Sequence, residues 1–280
     1  MKYEDGGSVL LCHTTPVVKV RILKWAVLLN NMEILRTRIK KEIVTEFVPP
    51  PKASQKVLIL CVGFPSYPGR RDELMEFFAR KGYWVFLPRY RGTWESKGKF
   101  LKKSPHMDIL DVIDALPKGF TELWSGKQYK IKNPEVYVFG SSFGGTAAIF
   151  CSRDKRVKRV VAISPVIDWR VKSKTEPMKW LNSFIKAGFS GAYTYNDTDW
   201  KRLSRGKFYN PASEVDSFNK DKLFVIHAKD DTVVSFKPAE RFAQELGCSF
   251  LPVKKGGHFS ISLTTESAYW KKIKSFLNKK

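Results

Sequence analysis

The stretch Val136-Tyr137-Val138-Phe139-Gly140-Ser141-Ser142-Phe143-Gly144-Gly145-Thr146-Ala147-Ala148-Ile149-Phe150-Cys151 decides how the rest of the chain is read. Its first four residues are β-branched or aromatic, the composition of a short buried strand. From Gly144 onward small residues dominate up to Cys151, which predicts a helix packed closely on its neighbours. Between the two lies a tight turn, where only small side chains fit; Gly140, Gly144 and Gly145 meet that need.

Working outward, the same alternation repeats. Glu42 to Val48 and Val57 to Val62 read as strands, and Pro49-Pro50-Pro51 separates them. Arg71 to Arg80 carries Leu74, Phe77 and Phe78 at helical spacing, and Tyr83 to Leu87 is the next strand. Ser104-Pro105 offers a cap and an N-terminal proline for a helix bearing Ile109, Leu110, Ile113 and Leu116 on one face. Beyond the opening stretch come strand Val157 to Ile163, strand Leu223 to Ile226, helix Lys237 to Leu246, strand Ser249 to Val253 and a last helix from about Glu266 to Leu277. Strands alternating with helices imply βαβ units and a mostly parallel sheet covered on both faces. The fold class is therefore α/β.

Composition agrees with a folded chain. Of 280 residues, 43% are hydrophobic and 14% aromatic, enough apolar surface to exclude disorder. Lys and Arg outnumber Asp and Glu by 50 to 27, a net charge of +23. The basic residues are spread along the chain with no run of five, which speaks for a generally basic surface rather than a specific nucleic-acid site. The most apolar candidate for a membrane span, Val17 to Leu29, is interrupted by Lys19, Arg21 and Lys24, and the N-terminus lacks a secretory pattern. Cys12, Cys61, Cys151 and Cys248 form neither a CxxC pair nor a disulfide framework, so a reducing cytoplasm is the expected compartment. No His, Cys and carboxylate cluster has ligand spacing; no metal and no cofactor are expected.

Chemistry enters through Gly140-Ser141-Ser142-Phe143-Gly144, a G-x-S-x-G pattern in the strand–turn–helix setting of a nucleophile elbow. A serine in such a turn needs a base to take its proton and an acid to orient the base. Four histidines are available. His13 lies in the N-terminal extension, His106 opens a helix in mid-chain and His227 ends a strand. His258, in Gly256-Gly257-His258-Phe259, has both a loop setting and the position the Ser, acid, His order requires. Asp230 and Asp231 are both candidates for the acid. The backbone N–H of Phe143, next to the serine, is one expected oxyanion donor.

Here the chain resembles the α/β-hydrolase superfamily, and within it prolyl-oligopeptidase-like and dienelactone-hydrolase-like serine esterases. Ile226-His227-Ala228-Lys229-Asp230-Asp231-Thr232-Val233-Val234 is similar to that group's H-G-x-x-D-x-x-V acid loop, with Ala228 for the glycine. The register of the resemblance makes Asp231 the acid and His227 a strand-end residue, leaving Asp230 to close the loop on backbone. Cys61-Val62-Gly63-Phe64-Pro65 resembles an H-G-F-P loop with Val62 for the histidine, which implies Phe64 N–H as the second oxyanion donor. Pro88 to Gly98 resembles an R-G-x-G-x-S-x-G loop with Trp94 for the second glycine. The likeness implies an α/β-hydrolase core over 42–167 and 221–280, an N-terminal extension over 1–41 and a helical lid or cap over 168–220. It leaves no room for a β-propeller ahead of the core.

The segment 168–220 is rich in aromatics interleaved with Lys and Arg, and Trp94, Trp169, Trp180 and Phe184 are the candidate substrate contacts. Taken together these features imply a serine hydrolase cleaving a small-molecule carboxylic ester with an aromatic, acyl or anionic group, as a monomer or homodimer. A small peptidase or a lactonase using the same residues is the alternative. A catalytically inactive basic binding protein on the same scaffold is the alternative of another class.

Overall fold

A computed structural model of the chain describes residues 32–189 and 191–279. The chain divides into two compact units, Met1–Glu33 and Ile34–Lys280, and every element below belongs to the second. Cys12, His13 and most of the extension read over 1–41 lie outside the described residues.

Among the described residues ten strands form, β1 Leu35–Ile39, β2 Ile43–Val48, β3 Lys56–Cys61, β4 Trp84–Pro88, β5 Phe120–Thr121, β6 Gln128–Tyr129, β7 Glu135–Ser141, β8 Val157–Ile163, β9 Leu223–Ala228 and β10 Ser249–Val253. Seven α-helices accompany them among the described residues, α1 Asp72–Ala79, α2 His106–Ala115, α3 Phe143–Cys151, α4 Met178–Gly188, α5 Asp197–Ser204, α6 Phe236–Leu246 and α7 Ser267–Leu277. Eight strands make one sheet in the order β1-β2-β4-β3-β7-β8-β9-β10. β1 and β2 pair antiparallel, as do β2 and β4, whereas every neighbour from β4 to β10 is parallel. Val57 to Cys61 of β3 are completely buried, the near-continuous apolar run that a strand covered on both faces requires. The mostly parallel sheet flanked by helices is the architecture expected from the alternation.

Register matters more than strand count. Cys61 pairs Gly140, Ser141 pairs Ile163, and Ala228 pairs Val253, so the parallel strands end together. The loops leaving β3, β7, β8, β9 and β10 therefore meet at one edge of the sheet, where open α/β sheets form their crevices.

Two elements differ from the sequence reading. The sheet begins at Leu35, before the boundary drawn at 42, because β1 joins as an edge strand. Its alternation is real, but the outward side carries Arg36 and Arg38, with Arg36 ion-paired to Glu46 across the pair at 3.0 Å and to Glu95 at 4.0 Å. The short hairpin β5–β6 is the second addition, its strands two residues long each. At the start of α2, Pro105 rather than Ser104 is the cap residue, and no side chain caps the helix. The Ser104 hydroxyl instead meets His106 Nδ1 at 2.7 Å.

That histidine carries a pH prediction. Its ring stacks on Phe150 at 5.0 Å, and burial, with nearby Arg153 adding to it, pushes its pKa down to about 4. The unfolded chain titrates His near 6.5, so the folded pKa is the depressed one. Stability is full above about pH 6.5 and is lost as pH falls toward 4, by about 3 kcal/mol at most. Urea unfolding of the wild type and His106→Gln across that range should show the acid loss reduced by this amount in the variant. Parallel pH curves for the two proteins would refute it.

Candidate active site

Ser142 sits between β7 and α3 with φ 54° and ψ −123°, a conformation that costs a non-glycine residue free energy and persists only when its surroundings enforce it. Enforcement is visible on both sides. Ser142 N–H donates to Ile163 O at 2.9 Å, and Ser142 O accepts from Gly145 N–H at 3.0 Å. Close approach explains the glycines: a Cβ on Gly144 would lie 2.1 Å from Cys61 O, and one on Gly140 would lie 2.1 Å from Gly144 O. The helix can rest on β3 and the turn can close only where those side chains are missing. Ser142 is half-buried, and its hydroxyl takes no hydrogen bond among the described residues.

The loop after β9 supplies Asp231, whose side chain is completely buried. Its Oδ1 accepts the N–H groups of Val233 and Val234, both at 2.9 Å. Its Oδ2 lies 2.8 Å from His258 Nδ1 and 3.2 Å from His227 Nε2. Burial alone would raise this carboxyl, but the bonds from His227, His258 and the Val234 N–H prevail and hold it well below the usual carboxylate range. Asp230 does different work: it accepts Gly256 N–H and Gly257 N–H, each at 2.9 Å, and so fixes the loop that carries His258. Phe259 N–H, on the other side of the histidine, donates to Ser164 Oγ at 3.3 Å.

His227 is completely buried at the end of β9. Its Nε2 faces two acceptors, Val234 O at 3.1 Å and Asp231 Oδ2, so the proton is assigned there. Nδ1 has no partner among the described residues. The motif H-x-x-x-D displayed the two residues in the sequence, but only the turn after β9 shows that they share an oxygen.

Gly63 and Phe64 follow β3 and lie against the serine: a Cβ on Gly63 would be 3.4 Å from Ser142 Cβ. Phe143 is the first residue of α3, whose opening N–H groups have no partner within the helix. The loop beyond Phe64 is tightly held, and its Phe64-Pro65 peptide is cis. Tyr193 Oη donates to Ser66 O at 3.0 Å and accepts Ser66 N–H at 2.9 Å, and Trp94 Nε1 donates to the same carbonyl at 3.0 Å. The Phe64 ring meets Tyr193 edge-on at 4.9 Å. Trp94 itself, where the resembling loop has glycine, adopts φ 50°.

A cleft of about 660 Å3, open mouth included, lies beside Ser142, with walls from Phe64, Phe143, Ile167, Trp169, Val171, Met178, Leu181, Val233, Val234 and Pro238. Of the four expected contacts, Trp169 lines it and donates its indole N–H to Tyr209 O at 2.7 Å. Trp94 lines a neighbouring cavity behind Phe64, and Trp180 and Phe184 face outward, 47% and 43% exposed. Those three are not brought to the cleft. Met178 and Leu181 are, and their three-residue spacing on α4 was the signal that the aromatic reading passed over. The segment 168–220 is stitched to the core by Trp94 N–H to Ala192 O and Thr194 N–H to Gly92 O, both at 2.7 Å. Among the described residues no group of three or more His, Cys, Asp or Glu side chains is placed to hold a metal ion.

The sheet order, the positive-φ serine after the central strand and the acid and histidine loops at the same edge define a protein of the α/β-hydrolase fold. A family model described as the prolyl oligopeptidase family matches residues 71–277. The chain belongs to that serine-hydrolase family. No relative was found among curated protein sequences. Among solved structures, an esterase from Pyrococcus furiosus is similar with TM-score 0.65 and 19% identity, over 90% of this chain and 92% of its own. An acylaminoacyl peptidase from Pyrococcus horikoshii matches with TM-score 0.59 and 17% identity, over 90% of this chain but 43% of its own. A soluble variant of a Saccharomyces cerevisiae monoglyceride lipase gives TM-score 0.59 at 14% identity, over 88% and 96%. At these identities the likeness bears on the fold alone.

Proposed function

We propose that the chain is a carboxylic ester hydrolase working through an acyl-enzyme on Ser142. The observation that carries this reading is the 2.8 Å bond between His258 Nδ1 and Asp231 Oδ2 at the sheet edge where the strained turn presents Ser142. In the proposed sequence, His258 Nε2 takes the Ser142 proton as Oγ attacks the ester carbonyl. It then returns that proton to the departing alcohol, and the same steps with water release the acid. Asp231 fixes the tautomer and stabilises the imidazolium. The N–H groups of Phe64 and Phe143 receive the oxyanion. The apolar cleft holds the acyl chain and excludes water from the acyl-enzyme, with the 168–220 segment as its wall.

Esters are favoured over peptides because the P. furiosus esterase matches along nearly its whole length, whereas the P. horikoshii peptidase has more than half of its chain outside the match. The test compares p-nitrophenyl acetate, butyrate, octanoate and decanoate with acyl-amino-acid p-nitroanilides. We expect kcat/KM for the best ester to exceed that for any anilide by about a hundredfold or more. Faster anilide cleavage would transfer the chain to the peptidases, and turnover of lactones alone would make it a lactonase. Negligible rates on all of these, together with salt-sensitive DNA binding, would favour the inactive binding protein.

Tyr193 supplies a finer test of the oxyanion loop. Tyr193→Phe keeps the ring against Phe64 and removes only the hydroxyl that clamps Ser66. We expect kcat on p-nitrophenyl butyrate to fall roughly ten- to a hundredfold while KM stays within about twofold, because a loosened donor acts on the transition state. A rise in KM at constant kcat would assign Tyr193 to ground-state binding instead.

A further inference from the structure

Helix α4 has a second face that the cleft does not use. Trp180 and Phe184 are one turn apart and their rings stack at 5.0 Å with an interplanar angle of 8°. Phe184 meets Phe189 at 5.9 Å, and Phe189 meets Tyr67, itself 69% exposed, at 5.0 Å. Trp180, Phe184 and Tyr67 are thus exposed aromatic rings joined through the buried Phe189, and they stand beside the cleft that Met178 and Leu181 of the same helix line. A contiguous exposed apolar patch of this kind marks an interaction site.

The charges around it identify the partner. Lys172, Lys174 and Lys179 are exposed and form no ion pair among the described residues, whereas Arg170 and Lys186 are paired with Asp168 and Asp197. Lys172 and Lys174 also line a cavity that shares Ser173 and Ser235 with the cleft. A second copy would bring the same lysines against these and be repelled. A layer of anionic headgroups over apolar chains complements both features: aromatic rings settle at headgroup depth and lysines meet the negative surface. Among the described residues no helix is long and apolar enough to cross a membrane.

We propose that the Trp180–Phe184 face docks the protein on an anionic lipid–water interface and sets the cleft mouth against it, so that esters dissolved in lipid reach Ser142 without crossing water. Binding stands on its own, while its purpose rests on the ester-hydrolase reading. The test uses the full chain carrying Ser142→Ala, which leaves the docking face intact, and measures co-sedimentation with phosphatidylcholine vesicles with and without roughly 30% phosphatidylglycerol. We expect tight, salt-sensitive binding to the anionic vesicles only. Trp180→Ser with Phe184→Ser should weaken it about tenfold or more. Lys172→Gln, Lys174→Gln and Lys179→Gln should weaken it about fivefold each, roughly a hundredfold together.

Unchanged affinity in the aromatic variant, equal binding to neutral vesicles or no vesicle binding would each overturn the proposal. So would a dimer, seen by sedimentation velocity, that the aromatic variant dissolves, because a second copy would then be the occupant. Wild-type turnover of monomeric p-nitrophenyl butyrate separates the two readings. Turnover without vesicle binding defeats docking alone, and vesicle binding without turnover defeats the ester reading alone.

Discussion

Ser142→Ala is expected to lower kcat on p-nitrophenyl butyrate by about four to six orders of magnitude while the protein remains folded. The size of the effect follows from there being no substitute for this hydroxyl. Ser173 and Ser235 also line the cleft, yet neither leaves a strand in a strained turn, and the His258–Asp231 pair is built around the edge where Ser142 stands. Residual activity would come from the oxyanion donors and the apolar walls alone. The stability of two variants gives an independent check. Alanine at φ 54° keeps the backbone strain, so its melting temperature should stay close to the wild-type value. Ser142→Gly, which adopts that conformation without a steric penalty, should be more stable by about 1 kcal/mol and equally inactive. Stability gained as activity disappears would mean that the turn is held strained for the sake of the hydroxyl. Alanine retaining a tenth of the wild-type rate would remove Ser142 from the mechanism.

How far the sequence reaches can be seen residue by residue. The β7–α3 turn was legible because sterics there admit only glycine: the 2.1 Å approaches at Gly140 and Gly144 leave no other choice, and glycine spacing is written in the sequence. Buried strands were legible because burial on both faces requires continuous apolar runs. β1 was not, since an edge strand needs apolar residues on one side only and its arginines hid the alternation. β5 and β6 are two residues each, too short for any period to show. Composition leaves Asp230 and Asp231 alike, and only the register of the resembling acid loop separates their tasks; their hydrogen bonds differ in the same way, Asp230 accepting from the Gly256 and Gly257 backbone and Asp231 meeting His258. The aromatics of 168–220 failed for a related reason. Trp169, Trp180 and Phe184 are alike in composition, but the first is buried between the cleft and Tyr209 while the other two point outward. Which helix face meets the core was carried by Met178, Leu181 and Ile185, whose spacing was the more informative signal.

Asp231→Asn should cost nearly as much as losing the serine, about four orders of magnitude in kcat, without emptying the site. All four contacts of the carboxylate come from donors: Val233 N–H and Val234 N–H on Oδ1, His258 and His227 on Oδ2. An asparagine can face only one of these pairs with its oxygen. Turned toward the backbone, its amide N–H points at His258 Nδ1 and forces that nitrogen to accept, which puts the ring proton on Nε2 where the serine needs a base. Turned the other way, it sets an NH2 group against two backbone donors and leaves them unsatisfied in a buried place. The first orientation costs activity and the second costs stability, so the variant should lose the former more than the latter. The pH dependence has a definite sign. Because the folded carboxyl lies below the usual range, its contribution to stability is present above about pH 4 and is lost as pH falls through the folded value. The stability gap between wild type and Asp231→Asn, measured by urea unfolding, should therefore be constant from pH 7 to about pH 5 and narrow below about pH 4. A variant within tenfold of the wild-type kcat, or a gap that widens in acid, would show that Asp231 does not hold His258 as its charged partner.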